Sequence, residues 1–192
     1  ASDVYKRQLV GRVFDTVARE SIAVGYRNIY APMVDLARDP RWGRVVECFG
    51  EDPHLVAELA IATTKAIQTR GAISTAKHFA VYSEPKGGRD GNVRTDPAVT
   101  PRAMEMLHLR PWERLVREAG LLGVMSSYND YDGVPISGSR EFLVDRLRTQ
   151  WGFRGLVVSD SEAVEFLFSK HRVAESPAAA AAMFIREGGN VR

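Results

Sequence analysis

Two periodicities alternate along this sequence, and their alternation limits the fold more than any single residue does. Apolar residues at helical spacing (Val10, Val13, Phe14, Val17, Ile22) predict a helix over 4–26 that stops near Gly25. A second helix opens at Asp52-Pro53, with Asp52 as N-cap and Pro53 at the first helical position, and runs to about Thr69. A third is capped by Thr100-Pro101 and reaches Ala119; a fourth runs from Ser139 to near Gly152, and shorter helices follow at 161–169 and 177–187. Between them lie short runs, apolar almost throughout, at 28–31, 72–76, 122–126 and 155–159. Strands of this kind, with helices between them, read as parallel strands covered on both faces. The class is therefore α/β. Two closures fit the alternation, an open doubly wound sheet and a (β/α)8 barrel. Four clear strands are half of a barrel. The first helix has no strand before it, and 187–192 reads as another strand beginning, so both ends are expected to be severed from a longer sheet.

Composition removes several function classes. The chain has 192 residues, 45% hydrophobic and 26% charged, which suffices for one ordinary domain with its own core. No stretch approaches the roughly 20 apolar residues of a membrane-spanning helix, so no membrane partner is expected. The net charge is +2 and the charges are dispersed, which gives no sign of a nucleic-acid partner. Cys48 is the one cysteine, so no internal disulfide forms. His54, His78, His108 and His171 lack metal-ligand spacing, and there is no CxxC, no GxSxG and no phosphate-binding glycine loop. No metal or cofactor is expected.

In parallel α/β folds, chemistry gathers at the C-terminal ends of strands. Those positions carry Asp35 and the run from Asp39 to Arg44 with Glu47 after the first strand, Lys77 and His78 after the second, Ser127, Tyr128 and Asn129 after the third, and Asp160, Ser161 and Glu162 after the fourth. Four polar strand ends in succession describe a pocket for a ligand with many hydroxyls. Each residue also has a structural reading. Asp160 could be a glycosidase-type nucleophile or an N-cap. Lys77 and His78 could clamp hydroxyls, or form a salt bridge and pack beneath a loop. Arg44 offers a planar fork of donors, or ties its loop to Glu47 or Glu51. Arg41 suits that loop-fixing role better. Tyr128 could touch the nucleophile, line the pocket or belong to the core.

The segment from Ala31 to Arg44 (APMVDLARDPRWGR), followed by Glu47 and Gly50-Glu51-Asp52-Pro53, resembles glycoside hydrolase family 3. So do Ala76-Lys77-His78-Phe79, the run from Val124 to Asn129 and the run from Gly155 to Asp160. The resemblance implies a (β/α)8-like barrel, of which residues 1–192 would be an incomplete part, and the removal of β-linked glucose or xylose from non-reducing ends with retention. It further implies that Asp160 is the nucleophile, that Arg44, Lys77 and His78 hold sugar hydroxyls, that Tyr128 sits beside the nucleophile, and that Arg89 is a further sugar contact. Earlier barrel elements, with another sugar-binding aspartate, are expected before residue 1, and the general acid/base on a second α/β domain after residue 192. The family favours a periplasmic or secreted enzyme. Two departures from family patterns stand out. Ser161 replaces the tryptophan that many members carry after the nucleophile. The histidine-bearing loop of the N-acetylglucosaminidase branch is missing after Phe79, which favours the glucosidase and xylosidase branch. The alternatives are a non-catalytic carbohydrate-binding relative and a phosphate- or nucleotide-binding doubly wound domain.

Overall fold

The structure, a computed structural model, describes residues 2–83 and 96–190. Four parallel strands make one sheet in the order β1 (Asn28–Ile29), β2 (Ile73–Phe79), β3 (Gly123–Ser126) and β6 (Leu156–Ser159). Helices α1 (Ser2–Ala23), α2 (Pro53–Thr69) and α4 (Arg110–Ala119), the helix Glu141–Gln150 and the pair α5 (Ala163–Ser169) and α6 (Pro177–Arg186) alternate with the strands. Each new strand is added on the same side of the last. A doubly wound sheet reverses direction at a switch point; this one does not, and successive addition is the winding of a (β/α)8 barrel. The fold is α/β, with four consecutive staves of a TIM-like wall.

Local chemistry places the helix ends as the sequence predicts. The Asp52 side chain accepts a hydrogen bond from Leu55 N at 2.7 Å, with Pro53 at the first position of α2. Thr100 does the same for Ala103 N at 3.3 Å. β2 and β3 approach closely where Gly123 faces Thr75: a Cβ on Gly123 would lie 2.1 Å from Thr75 Oγ1. The main core gathers around Phe79, which is fully buried, with Trp112, Phe142 and Trp151 set edge-on against it at 5.1, 6.3 and 6.0 Å.

Four expectations change. The second strand does not stop at Ala76 but runs on through Lys77 and His78 to Phe79. These two polar residues interrupt the apolar run, yet their backbone stays paired with the chain leaving β1: Lys77 N donates to Pro32 O and Lys77 O accepts from Val34 N. The third helix is not continuous. A short turn α3 (Pro101–Ala103) passes into a π-wound segment, Met104–His108, before α4. Pro111 has no N–H and crowds the turn before it, and Leu109 N reaches back five residues to Met104 O instead. The helix Glu141–Gln150 is π-wound as well. Finally, β4 (Asp130–Tyr131) and β5 (Val134–Pro135) form a two-stranded antiparallel hairpin that the apolar pattern does not show.

Candidate functional site

The C-terminal ends of β2, β3 and β6 meet at one rim. The chain leaving β1 runs beside β2, bridging Met33 to Lys77, and this delivers Asp35 to His78. The pairing of β2 with β3 shifts between Ala76 and Phe79: three steps on β2 match two on β3, from Val124 to Ser126. The extra residue is a bulge at Lys77-His78, a device that re-aims side chains beside sites. Across the sheet, Ser126 is paired with Ser159, so Asp160 emerges directly alongside.

His78 is the hub, 1% exposed at its side chain. Its Nδ1 lies 2.8 Å from Asp35 Oδ2, and its backbone N–H donates to the same oxygen at 3.0 Å. Its Nε2 lies 2.8 Å from Arg44 Nη1 and 3.3 Å from Asp160 Oδ2. Arg44 in turn grips Glu47 with two parallel bonds, Nε to Oε1 at 2.8 Å and Nη2 to Oε2 at 2.9 Å. Burial works against the Arg44 charge, but Glu47, then Asp35, outweigh it and raise its pKa. The same bond holds Glu47 below the usual carboxylate range. Arg44 therefore ties its loop through Glu47, and its guanidinium also reaches His78 at the rim. Arg41 pairs with Asp39 on the surface.

Asp160 is not the cap of α5. That position belongs to Glu162, whose side chain makes no capping bond. Asp160 Oδ1 accepts from Ser161 N at 2.8 Å, while Oδ2 is buried and accepts no hydrogen bond among the described residues. Tyr128 lies beside this carboxylate. Burial first, and the Asp160 charge second, push its phenol well above the ordinary range, although no bond of strict geometry joins the two. Its carbonyl is held by His171 Nε2 at 2.9 Å. Lys77 is half-buried, and its ammonium has no hydrogen-bond partner among the described residues; its charge helps to depress Glu47. Arg89 lies outside the described residues. No three His, Cys, Asp or Glu side chains among the described residues gather to hold a metal ion.

Tyr82 joins the site without a signal in the sequence pattern, and Asp35, a polar strand end in the sequence, acquires a specific partner there. Asp35 stands at a strand end, but only the chain's course beside β2 reveals its partner. Tyr82 sets its ring edge-on to His78 at 5.2 Å, to Trp42 at 5.4 Å and to Tyr128 at 5.8 Å. Burial, partly opposed by Arg44, pushes its phenol up to about 12. The loop after β2 is tied down by Asn129, whose Nδ2 donates to Ala80 O at 3.3 Å, and by Ser127.

Among the described residues the rim thus offers one carboxylate oxygen without a donor, an ammonium without a partner, and a guanidinium and imidazole locked side by side, all walled by aromatic rings. Residues 2–184 match the glycosyl hydrolase family 3 N terminal domain. The chain belongs to glycoside hydrolase family 3. Similar family members include a putative β-xylosidase of Formosa agariphila, 39% identical over 96% of this chain, and a periplasmic β-glucosidase of Salmonella typhimurium, 34% identical over 93%. The chain spans 25% and 23% of those two proteins. Among solved structures, a β-glucosidase of Erythrobacter marinus superimposes with a TM-score of 0.91 at 36% identity, over 98% of this chain and 26% of that one. A β-glucosidase mutant of Listeria innocua, solved with laminaribiose, gives 0.88 at 30% identity, over 96% of this chain and 26% of that one.

Proposed function

We propose that residues 1–192 form part of a family 3 barrel domain and carry the nucleophile half of a retaining β-glycosidase site. The substrate is a glycoside or oligosaccharide with a terminal non-reducing β-D-glucose or β-D-xylose. The observation that carries the reading is Asp160 Oδ2, buried at a strand end, without a donor among the described residues, and flanked by His78 and Tyr128. In the first step, a carboxylate oxygen of Asp160 attacks the anomeric carbon and the glycosidic C–O bond breaks. The leaving oxygen takes a proton from an acid. Water then attacks the same carbon, cleaves the glycosyl ester and returns a proton to that acid, so configuration is retained.

Lys77, His78 and Arg44 serve the sugar hydroxyls. Lys77 brings three donors that no described residue uses. Two carboxylates near the rim are already engaged, Asp35 by His78 and Glu47 by Arg44, so the proton donor is proposed to come from outside the described residues. The β-xylosidase and β-glucosidase relatives support the sugar class, as does a family 3 exo-β-xylosidase structure bound to a xylobiose-type probe.

Labelling with a 2-fluoro glycoside bearing a leaving group that needs no protonation tests this without the missing acid. Mass spectrometry is expected to find one sugar on the peptide containing Asp160, and none after Asp160→Asn. Labelling of Glu162 or Glu165 would overturn the assignment.

A further inference from the structure

We propose that Asp35 is a positioning residue that fixes the tautomer of His78, leaving Nε2 without a proton on the side that faces Asp160. The proposal takes its consequence, though not its evidence, from the reading of Asp160 as nucleophile.

Two contacts favour the same tautomer, and the proposal is that both are needed to hold it. A guanidinium has five donors and no acceptor. Arg44 Nη1 stands 2.8 Å from Nε2, so Nε2 accepts and bears no proton. On the other side of the ring, Nδ1 stands 2.8 Å from the buried Asp35 Oδ2, an acceptor, so Nδ1 carries the proton. Asp35 Oδ2 also takes the His78 backbone N–H at 3.0 Å. One oxygen therefore anchors the ring and the bulged backbone together, which leaves the imidazole little freedom to turn. The charged and titratable groups that face the ring are Asp35 from the segment after β1, Arg44 from the loop beyond it, and Asp160 from the end of β6, with the Tyr82 ring packed edge-on.

The opposite tautomer would do two things. It would set an N–H against the Arg44 donor at 2.8 Å, and it would direct a proton at Asp160 Oδ2, 3.3 Å away. A proton there would occupy the lone pair that has to attack carbon. Asp35 thus bonds His78 rather than the nucleophile, yet it keeps the nucleophile's oxygen from being taken by its nearest neighbour.

Nitrogen-15 NMR of the histidine rings in the 192-residue chain reads this directly, with His78→Gln used to assign the His78 signals. At neutral pH His78 is expected to show a protonated Nδ1 and a bare Nε2. A protonated Nε2, alone or with Nδ1, overturns the proposal. In Asp35→Asn, which loses the charged acceptor, the bare-nitrogen signal is expected to divide between the two nitrogens. A folded Asp35→Asn protein whose His78 pattern is unchanged also overturns the proposal. If that variant does not fold, the wild-type spectrum still decides between the tautomers. No turnover is required. A failed Asp160 label beside an intact tautomer sinks the functional reading alone, and the reverse result sinks this one alone.

Discussion

Two regions of this protein are built from the same side chains and have opposite characters. On the helical flank, Asp15 of α1 meets Arg70 just past α2, with side chains 31% and 45% exposed. At the rim, Glu47, Arg44, His78 and Asp35 form one connected line, and the last pair is 2% exposed or less. Carboxylate and guanidinium chemistry is common to both. Water makes the difference. On the flank it screens each charge and competes for each bond. At the His78–Asp35 end of the rim burial excludes it, so each bond there fixes the next, and a group left without a partner is costly.

The largest expected departure comes from Arg44→Met. It removes a charge-assisted fork to Glu47 and the donor to His78, which costs about 1.5–3 kcal/mol; the lower end applies because Glu47 is 36% exposed. For a chain of this size, at about 2–4 °C per kcal/mol, that lowers Tm by about 3–6 °C, and affinity for a monosaccharide inhibitor should fall about tenfold to a hundredfold. Arg70→Met, its counterpart on the flank, is expected to leave both calorimetric Tm and inhibitor affinity unchanged. Equal losses in the two variants would abolish the contrast.

The pH dependence sharpens the comparison. Burial raises the Tyr82 pKa from 10.0 to about 12. A raised value means that its stabilising contribution is complete below pH 10 and is lost as pH climbs through 12; Tyr128 is shifted in the same direction. Urea melts over this alkaline window are expected to lose stability less steeply in Tyr82→Phe than in wild type. On the acid side the sign reverses. Glu47 is depressed below 4.5 by Arg44, so that pair stabilises above pH 4.5 and fails only as pH falls through the lower folded value.

Salt should have the smallest effect. Raising ionic strength from about 0.1 to 1 M shortens the screening length from about 10 to 3 Å. Double-mutant cycles are expected to show the Asp15–Arg70 coupling vanishing while the Arg44–Glu47 coupling survives. Loss of both at the same rate would mean that the rim is as wet as the flank.

Sequence showed the flank better than the rim. Helix caps at Asp52 and Thr100 and the apolar strands are local signals, and they place Asp160 at the end of β6 from its neighbours alone. The end of β2 was hidden because Lys77 and His78 look like a loop when only polarity is read, whereas their backbone stays paired with the chain leaving β1. The hairpin is legible in turn chemistry rather than in the apolar pattern. Asp132-Gly133 between Tyr131 and Val134 is a strong two-residue turn signal, and both residues have positive φ, 50° and 80°. The Asp35–His78 contact had no local signal. It joins residues 43 positions apart, and it exists only because one strand end leads its chain alongside the next.

His78 and Phe79 are adjacent in the chain, yet one lies at the centre of the polar rim and the other at the centre of the aromatic core. A single peptide unit thus serves as the hinge pin between robustness and chemistry. Selection for heat tolerance that repacks the rings around Phe79 would turn the imidazole next door with them. Selection for a new sugar that moves His78 would loosen Trp112 and Trp151. Laboratory evolution of this scaffold should therefore find its improvements in heat tolerance far from residues 76–79, with that short stretch resisting change under either pressure.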